Sequence, residues 1–123
     1  MRVAIVGSRE YPNPKVVEAY VWNMPRENVI VSGGARGVDS IAVAKAKSLG
    51  MDTVVYEPDW EGRGRGAGLE RNTTIVENCD RVIAFWDGKS RGTMDTVRKA
   101  RATGKPVTVV NVHGIEIPED DKP

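Results

Sequence analysis

Three glycine-containing turns each follow directly on a short apolar run, and this arrangement constrains the fold more than any other feature of the chain. The turns are Gly7-Ser-Arg9, Ser32-Gly-Gly-Ala-Arg-Gly-Val-Asp39 and Asp87-Gly-Lys-Ser-Arg-Gly-Thr93. Apolar runs without polar alternation are typical of strands covered on both faces, and glycine lets the backbone turn sharply or approach a ligand closely. The pattern therefore predicts strands that run into phosphate-type turns at helix N-termini.

Strand-like and helix-like segments alternate along the chain. Strands are predicted at 2–7, 28–32, 52–57, 81–86 and 107–112, and helices at 14–23, 38–49, 69–79 and 93–103. Crossovers of this length require parallel pairing, and right-handed crossovers place helices on both faces of a sheet. The sequence therefore predicts an α/β fold, a Rossmann-like three-layer α/β/α sandwich with a five-stranded parallel sheet.

A glycine-rich loop is predicted between the third strand and the third helix. It runs from Glu57 to Gly68 and includes four evenly spaced glycines. So much glycine predicts either a mobile flap or a segment that a ligand or partner holds in place. The helix that follows is predicted to turn Leu69, Thr73, Val76 and Cys79 toward the core.

Length and charge limit the function classes. At 123 residues the chain is one domain, and we predict a Rossmann-like nucleotide-binding domain at 1–112 and an acidic C-terminal tail at 113–123. Lys plus Arg is 18 and Asp plus Glu is 17, so the basic footprint of a nucleic-acid-binding domain is missing overall. Residues 89–105 are locally basic, and two interpretations stay open: a solvated helix face that complements the helix dipole near its C-terminus, or a local basic footprint for nucleic acid.

The cysteine content and the hydropathy limit the cellular compartment and the kinds of site that we expect. The single cysteine, Cys79, excludes an internal disulfide and a paired-cysteine metal or redox motif. The first strand begins at Arg2 without a signal-peptide pattern, and the apolar runs are far shorter than a membrane span. We expect a cytoplasmic protein with no membrane partner, no metal site and no cofactor.

The three turns are predicted to form one site. Ligands of such sheets bind beyond the carboxyl ends of the strands, where the strand order reverses, and all three turns follow those ends. The candidate ligand- or phosphate-binding residues are Gly7, Ser8, Arg9, Ser32, Gly33, Gly34, Arg36, Gly37, Asp39, Arg71, Asn72, Asp87, Gly88, Ser90, Gly92 and Thr93. For Asp39 two roles stay open. One is a favourable interaction with the helix dipole in the first turn of its helix, and the other is to orient the turn or bind a ligand hydroxyl. For Asn72 they are loop bracing and ligand contact.

Two common phosphate signatures are absent from the sequence. Gly7 is followed by Ser8 and Arg9, so the first turn lacks the G-x-G-x-x-G pattern of dinucleotide-binding folds. A Walker lysine is missing as well, which argues against a P-loop NTPase.

Four short motifs resemble those of one superfamily. The segments 4–9 and 32–39 and the pair Arg71-Asn72 look like motifs of the DprA/Smf DNA-processing proteins, while 87–93 is similar to the Gly-Gly-x-Gly-Thr phosphate loop of the Lonely-guy (LOG) cytokinin-activating proteins. In this order they resemble the SMF/DprA–LOG (SLOG) superfamily, and its small stand-alone bacterial and phage members in particular. The resemblance covers residues 2 to about 111.

The resemblance implies a nucleotide or nucleotide-derived ligand at the strand ends. LOG members are phosphoribohydrolases that release the base of a nucleoside 5′-monophosphate, with a glutamate in the pattern Gly-Thr-x-x-Glu. Thr96 stands at that position here, and threonine does not act as an ionised acid or base. Asp95 lies about 100° away around the helix. Sensing or sequestration of the ligand is therefore favoured, glycosidic cleavage is the alternative, and no catalytic residue is assigned.

DprA-like binding of single-stranded DNA is the second alternative. It would need a local patch, because phosphate contacts dominate such binding and the net charge is only +1. Interleaved arginines and an aromatic residue suit stacked bases, and the candidates are Trp60, Arg63, Arg65, Arg71 and Arg91.

Self-association is expected as well. Trp22, Met24 and Met94 are predicted to form an apolar patch that the core does not need. Together with the resemblance, this predicts a homodimer or a dimer of dimers with twofold symmetry.

Overall fold

The computed structural model describes residues 1–118, with all their side chains except those of Trp60, Arg63 and Arg65. The proposed nucleic-acid patch depends on these three side chains, and the predicted tail extends past residue 118. Those parts of the two predictions lie outside the described residues.

The predicted strands and helices are all present, with ends within two residues of the expected ones. The strands are β1 (Arg2–Gly7), β2 (Val29–Ser32), β3 (Thr53–Val55), β4 (Arg81–Phe85), β5 (Val107–Val110) and β6 (Glu116–Ile117). The helices are α1 (Pro14–Trp22), α2 (Val38–Ser48), α3 (Trp60–Arg63), α4 (Ala67–Glu77) and α5 (Arg91–Ala102), with a 3₁₀ turn at Gly64–Gly66.

The sheet has the order β3-β2-β1-β4-β5-β6, in which β1 to β5 are parallel. The strand order reverses at β1, because β2 and β3 lie on one side of β1 whereas β4 and β5 lie on the other. A crevice between β1 and β4 is therefore the expected ligand position. The parallel α/β architecture predicted from the sequence is confirmed.

The described sheet has one strand more than predicted. Residues 116–117 were expected to belong to the tail, but they pair antiparallel with β5, with Val109 opposite Ile117. A tight turn makes this pairing possible, because the side-chain oxygen of Asn111 accepts hydrogen bonds from the N–H groups of His113 and Ile115. Two residues are too few to show a strand periodicity in the sequence.

Alternate residues of β1 enter two separate core layers. Val3 and Ile5 pack on one face of the sheet with residues of α1 and α2, whereas Ala4 and Val6 pack on the other face with residues of α4 and α5. This two-sided burial explains why the strand has no polar alternation. The three-layer α/β/α arrangement follows from it.

The glycine-rich segment is mostly helical rather than a loop. It contains α3 and the 3₁₀ turn, and α4 begins at Ala67, two residues earlier than predicted. The carboxylate of Asp59 accepts a hydrogen bond from the N–H of Gly62 at 2.9 Å, which holds the first of these turns. The predicted inner face was wrong at Leu69 and Thr73, which are exposed, whereas Val76 and Cys79 are buried as predicted.

Gly7 is expected to tolerate no side chain. A Cβ built there would lie 2.6 Å from Cγ2 of Val38 and 2.7 Å from the carbonyl oxygen of Phe85, so Gly7→Ala should lower the free energy of unfolding by about 1–3 kcal/mol. Gly92→Ala is the matched control, because no atom lies within 4 Å of its built Cβ; it should be neutral or stabilise α5 by up to about 1 kcal/mol. Urea unfolding of both variants tests this, and equal midpoints would contradict it.

Candidate functional site

A small cavity lies at the carboxyl end of β1, where the three glycine turns meet. It has a volume of about 80 Å³, well below the roughly 300 Å³ at which pockets for drug-sized ligands begin. We call it the first cavity. It is lined by Val6, Gly7, Arg9, Ala35, Asp39, Arg71, Asn72, Ile75, Ser90, Gly92, Thr93 and Thr96.

A second cavity adjoins the first on the side of β3. It has a volume of about 190 Å³ and shares Arg9 and Ala35 with its neighbour. Its other lining residues are Gly33, Gly34, Glu57 and Pro58. The two cavities together form a cleft that follows the carboxyl ends of the strands from α5 across to β3.

Arg71 reaches from α4 across the first cavity to the turn after β2. Its guanidinium donates one hydrogen bond to the carbonyl oxygen of Gly33 and another to the side-chain oxygen of Asn72, at 3.0 Å. Burial lowers the pKa of Arg71; the nearby Asp39 carboxylate opposes this effect and the Arg9 guanidinium adds to it. Two guanidinium groups are thus close enough to repel each other beside one cavity.

Asp39 braces the turn after β2 from inside the protein. Only 4% of the residue is exposed, and its carboxylate accepts hydrogen bonds from the N–H groups of Gly33 at 3.1 Å and Ala35 at 3.3 Å. Burial raises the pKa of Asp39 to about 6, although both N–H donors and Arg71 act in the opposite direction. The sequence left two roles open for Asp39, and these contacts are typical of a residue that orients the turn.

The Arg71 side chain crosses directly over Gly33, which leaves no room for a side chain at this position. A Cβ built on Gly33 would lie 2.8 Å from Cζ of Arg71, which is closer than carbon atoms pack in proteins. The glycine therefore permits the guanidinium to rest on the turn.

The third turn is held by its own side chains. The carboxylate of Asp87 accepts hydrogen bonds from the N–H groups of Lys89 at 2.8 Å and Ser90 at 2.9 Å. Burial raises the pKa of Asp87, but these donors outweigh it and leave the pKa below its usual range. The Ser90 hydroxyl then caps α5 by accepting from the N–H of Thr93 at 3.3 Å.

Asn72 ties α4 to the start of α5. Its amide nitrogen donates to the carbonyl oxygen of Gly92 at 3.2 Å and to the carboxylate of Asp95 at 3.1 Å. Asp95 also pairs with Lys99 at 2.8 Å and does not line the first cavity. Thr96 does line it, so the residue at the LOG glutamate position faces the cleft.

The predicted site residues fall into three groups. Eight line the first cavity: Gly7, Arg9, Asp39, Arg71, Asn72, Ser90, Gly92 and Thr93. Gly33 and Gly34 line the second cavity. The remaining residues line neither cavity: Ser8, Ser32, Arg36, Gly37, Asp87 and Gly88.

Ser8 and Ser32 are buried and bonded to backbone. The Ser8 oxygen accepts a hydrogen bond from the N–H of Asp87 at 3.1 Å, joining the first turn to the third. The Ser32 hydroxyl donates to the carbonyl oxygen of Ile5 at 3.0 Å, joining β2 to β1. Both side chains therefore hold the strand ends together beneath the cleft.

Sequence reasoning missed Glu57, which lines the second cavity. It was read only as the last residue of the third strand and the first of the loop, because nothing in its local sequence marks it as a residue of the cleft. Pairing of β3 with β2 brings it to the cleft. Ile75 and Val6 were likewise missed, since apolar lining residues are not distinguishable from core by pattern alone.

The apolar patch predicted for self-association is wrong. Trp22 is 55% exposed, but Met94 is buried in the core beneath α5, on the opposite face of the sheet. Met24 is half-buried against the core formed by α1 and α2. The Trp22 ring instead contacts two cations, with Arg26 at 5.1 Å and Lys45 at 5.2 Å from its centroid.

Two further findings apply to the described part of the chain. No helix within residues 1–118 is long and apolar enough to cross a membrane. Among the same residues, no three histidine, cysteine or acidic side chains cluster as metal ligands do.

Comparison with known proteins identifies relatives of this chain. A family model described as "YspA, cpYpsA-related SLOG family" matches residues 1–62. The "Gene 61 protein" of Mycobacterium phage D29 is 35% identical in an alignment of 116 residues that covers 86% of this chain and 93% of that protein.

Two solved structures share the fold. DNA processing protein A (DprA) from Streptococcus pneumoniae matches with a TM-score of 0.77 and 26% identity, over 89% of this chain and 50% of that chain. DprA from Helicobacter pylori, described for its single-stranded DNA binding mode, matches with a TM-score of 0.63 and 27% identity over 89% and 65%. The chain thus spans about half the length of the first DprA and 65% of the second.

Asp39 should make stability depend on pH in a particular direction. Its pKa of about 6 in the folded protein exceeds the ordinary 3.8, so the folded state binds the proton more tightly and stability should fall as pH rises from about 4 to 6. Relative to Asp39→Asn, the wild type should lose about 2–3 kcal/mol over that range. Urea unfolding of both proteins from pH 4 to 7 measures the difference, and a constant offset would contradict the prediction.

Proposed function

The chain belongs to the YspA, cpYpsA-related SLOG family, and on this basis we propose that it binds a phosphorylated nucleotide or nucleotide-derived ligand at the carboxyl ends of β1, β2 and β4. The observation that carries the proposal is the convergence of Arg9 and Arg71 on the first cavity. The ligand is sensed or sequestered there rather than cleaved.

The charge of the first cavity favours an anion. Two guanidinium groups line it, and Asp39 is the one carboxylate among its lining residues. Arg9 and Arg71 repel each other, which contributes to the lowered pKa of Arg71. A phosphate between them relieves this repulsion and accepts charge-assisted hydrogen bonds from both.

The backbone at the first cavity suits the same ligand. The first turns of α2 and α5 both contribute lining residues, Asp39 on one side and Gly92 and Thr93 on the other. Helix N-termini carry unpaired N–H groups and a partial positive charge. Open space surrounds Gly92, where a built Cβ meets no atom within 4 Å, so a phosphate oxygen can approach the chain closely.

The sizes of the cavities suggest how the ligand lies. The first cavity, at about 80 Å³, accommodates a phosphate group and excludes a nucleoside. The second, at about 190 Å³, adjoins it and is open to further parts of the molecule. We therefore place the phosphate at the arginines and the rest of the ligand toward β3.

Glycosidic cleavage is a weaker candidate for this cleft. Thr96 lines the first cavity and its hydroxyl contacts the carbonyl oxygen of Gly92 at 3.4 Å, but it carries no charge with which to stabilise an oxocarbenium-like centre. The nearest acid on the same helix, Asp95, is engaged by Asn72 and Lys99.

Single-stranded DNA binding remains a second candidate because of the likeness to DprA. Arg91 and Arg98 are exposed on α5 and offer phosphate contacts outside the cleft. Such contacts give an affinity that falls steeply with salt. A salt titration with a labelled oligonucleotide separates this function from the binding of a small nucleotide.

Assembly and location complete the proposal. The resemblance to SLOG proteins supports a homodimer or a dimer of dimers, although the surface that joins the copies is not the predicted apolar patch. We also propose a cytoplasmic location, and residues 1–112 as the binding domain.

Removing the Arg71 guanidinium from the first cavity should strongly weaken ligand binding. Nucleotides, cyclic dinucleotides and ADP-ribose derivatives should include at least one compound that raises the melting temperature of the wild type. Arg71→Ala should lower the affinity for it at least tenfold. Gly33→Ala should act similarly, because its methyl group displaces the flexible end of Arg71 rather than the backbone.

Arg98→Ala is the matched control, since Arg98 is exposed on α5 and lines neither cavity. It should keep the full ligand-induced shift. A flat response of the wild type to the whole panel, or an unchanged shift in Arg71→Ala, would contradict the proposed function.

Catalysis is tested at Thr96. The wild type should release little or no free base from AMP, as followed by chromatography, because an ionisable group is missing at this position. Thr96→Glu introduces a carboxylate into the first cavity and should raise the rate of release above that of the wild type. Robust release by the wild type that survives both Asp95→Asn and Arg71→Ala would show that the site is assigned wrongly.

A further inference from the structure

We propose that the second cavity is a sugar subsite in which the Glu57 carboxylate binds the free 2′,3′-diol of a ribose. This inference rests on the proposed function, since the ribose belongs to the ligand whose phosphate occupies the first cavity. It adds a residue that decides which sugar the protein accepts.

Glu57 stands at the same edge of the sheet as the glycine turns. The N–H of Tyr56 donates to the carbonyl oxygen of Ser32 at 2.9 Å, so pairing between β2 and β3 continues up to the residue before Glu57. The chain then leaves the sheet at Pro58. Proline restricts the backbone of the preceding residue to extended conformations, which reduces the entropy that Glu57 loses on binding a ligand.

The carboxylate of Glu57 lies against the second glycine turn. A Cβ built on Gly34 would be 3.0 Å from Cγ of Glu57 and 3.5 Å from its Oε1. Gly34 also has a φ of +73°, a conformation that residues with side chains rarely adopt. The small residue at this turn thus leaves room for an acidic side chain over the second cavity.

No described residue binds the carboxylate of Glu57. Glu57 is exposed, and among the residues whose side chains the structure describes it has no hydrogen-bond or ion-pair partner. A carboxylate is acceptor-only and has two oxygens, which matches the two neighbouring hydroxyl donors of a ribose. By contrast, Asp39 is already bonded to two backbone N–H groups.

The order of the two cavities matches the order of groups in a 5′-nucleotide. The phosphate at Arg71 is followed directly by the ribose, and the second cavity adjoins the first through Arg9 and Ala35. Its volume of about 190 Å³ is more than twice that of the first, which suits a ribose. Arg9, between the two, contacts the phosphate while Glu57 takes the sugar.

The negative charge of Glu57 has a second consequence. A 2′- or 3′-phosphate would place its charge beside the carboxylate and meet repulsion. The cleft therefore selects ribose with both hydroxyls free, and it discriminates against 2′-deoxyribose and against 2′-phosphorylated ribose.

The test compares ribonucleoside and 2′-deoxyribonucleoside 5′-monophosphates of the same base by isothermal titration, using all four bases. The ratio within each base cancels the contribution of the base itself. The wild type should prefer the ribonucleotide by about tenfold. Glu57→Ala should bring the ratio close to one while leaving deoxynucleotide affinity unchanged or higher, and Glu27→Ala, an exposed acid at the opposite edge of the sheet, should keep the wild-type ratio.

The outcomes separate this inference from the proposed function. A ribose preference that persists in Glu57→Ala, or no preference in the wild type, overturns the sugar subsite while Arg71-dependent binding of the monophosphates leaves the proposed function standing. Failure of every monophosphate to bind the wild type overturns the subsite, and failure of the wider nucleotide panel overturns the proposed function.

Discussion

The buried carboxylate of Asp39 holds the turn after β2 in the shape on which the whole cleft depends. It collects the N–H groups of Gly33 and Ala35 and leaves the carbonyl oxygen of Gly33 facing Arg71. The turn, the start of α2 and the guanidinium from α4 are therefore one connected unit. The burial of the Asp39 charge destabilises this unit, and the same burial raises the pKa of Asp39.

The fold follows from the sequence wherever burial on two faces leaves a continuous apolar run. β1 and β4 are such runs, and the glycines after them mark where the chain must turn, so the parallel sheet was predictable. The exceptions are short elements. β6 has two residues and no period to detect, and the glycine-rich segment forms α3 because Asp59 supplies a contact that composition does not reveal.

The location of the candidate site was predictable from the sequence, whereas its contacts were only partly predictable. Strand order and turn chemistry bring Arg71 and Gly33 to one edge, but the pattern does not distinguish residues that face the cleft from those beneath it. Ser8 has the same local signature as a phosphate donor, yet it is 1% exposed and joins two turns. Glu57 has no signature, because only the pairing of β3 with β2 decides its neighbours.

The interactions at the cleft are also those that the proposed anionic ligand would change most. Arg9 and Arg71 repel each other, and the Asp39 carboxylate opposes this effect at Arg71. Proteins commonly retain such unfavourable arrangements at functional sites, where the rest of the fold holds them in place. Here Ser8, Ser32 and Asn72 bond the strand ends and helices together around the arginines. The Arg71 guanidinium is thus held in position by Gly33 and Asn72, so the anion that we propose would contact it with little reorganisation of this part of the protein.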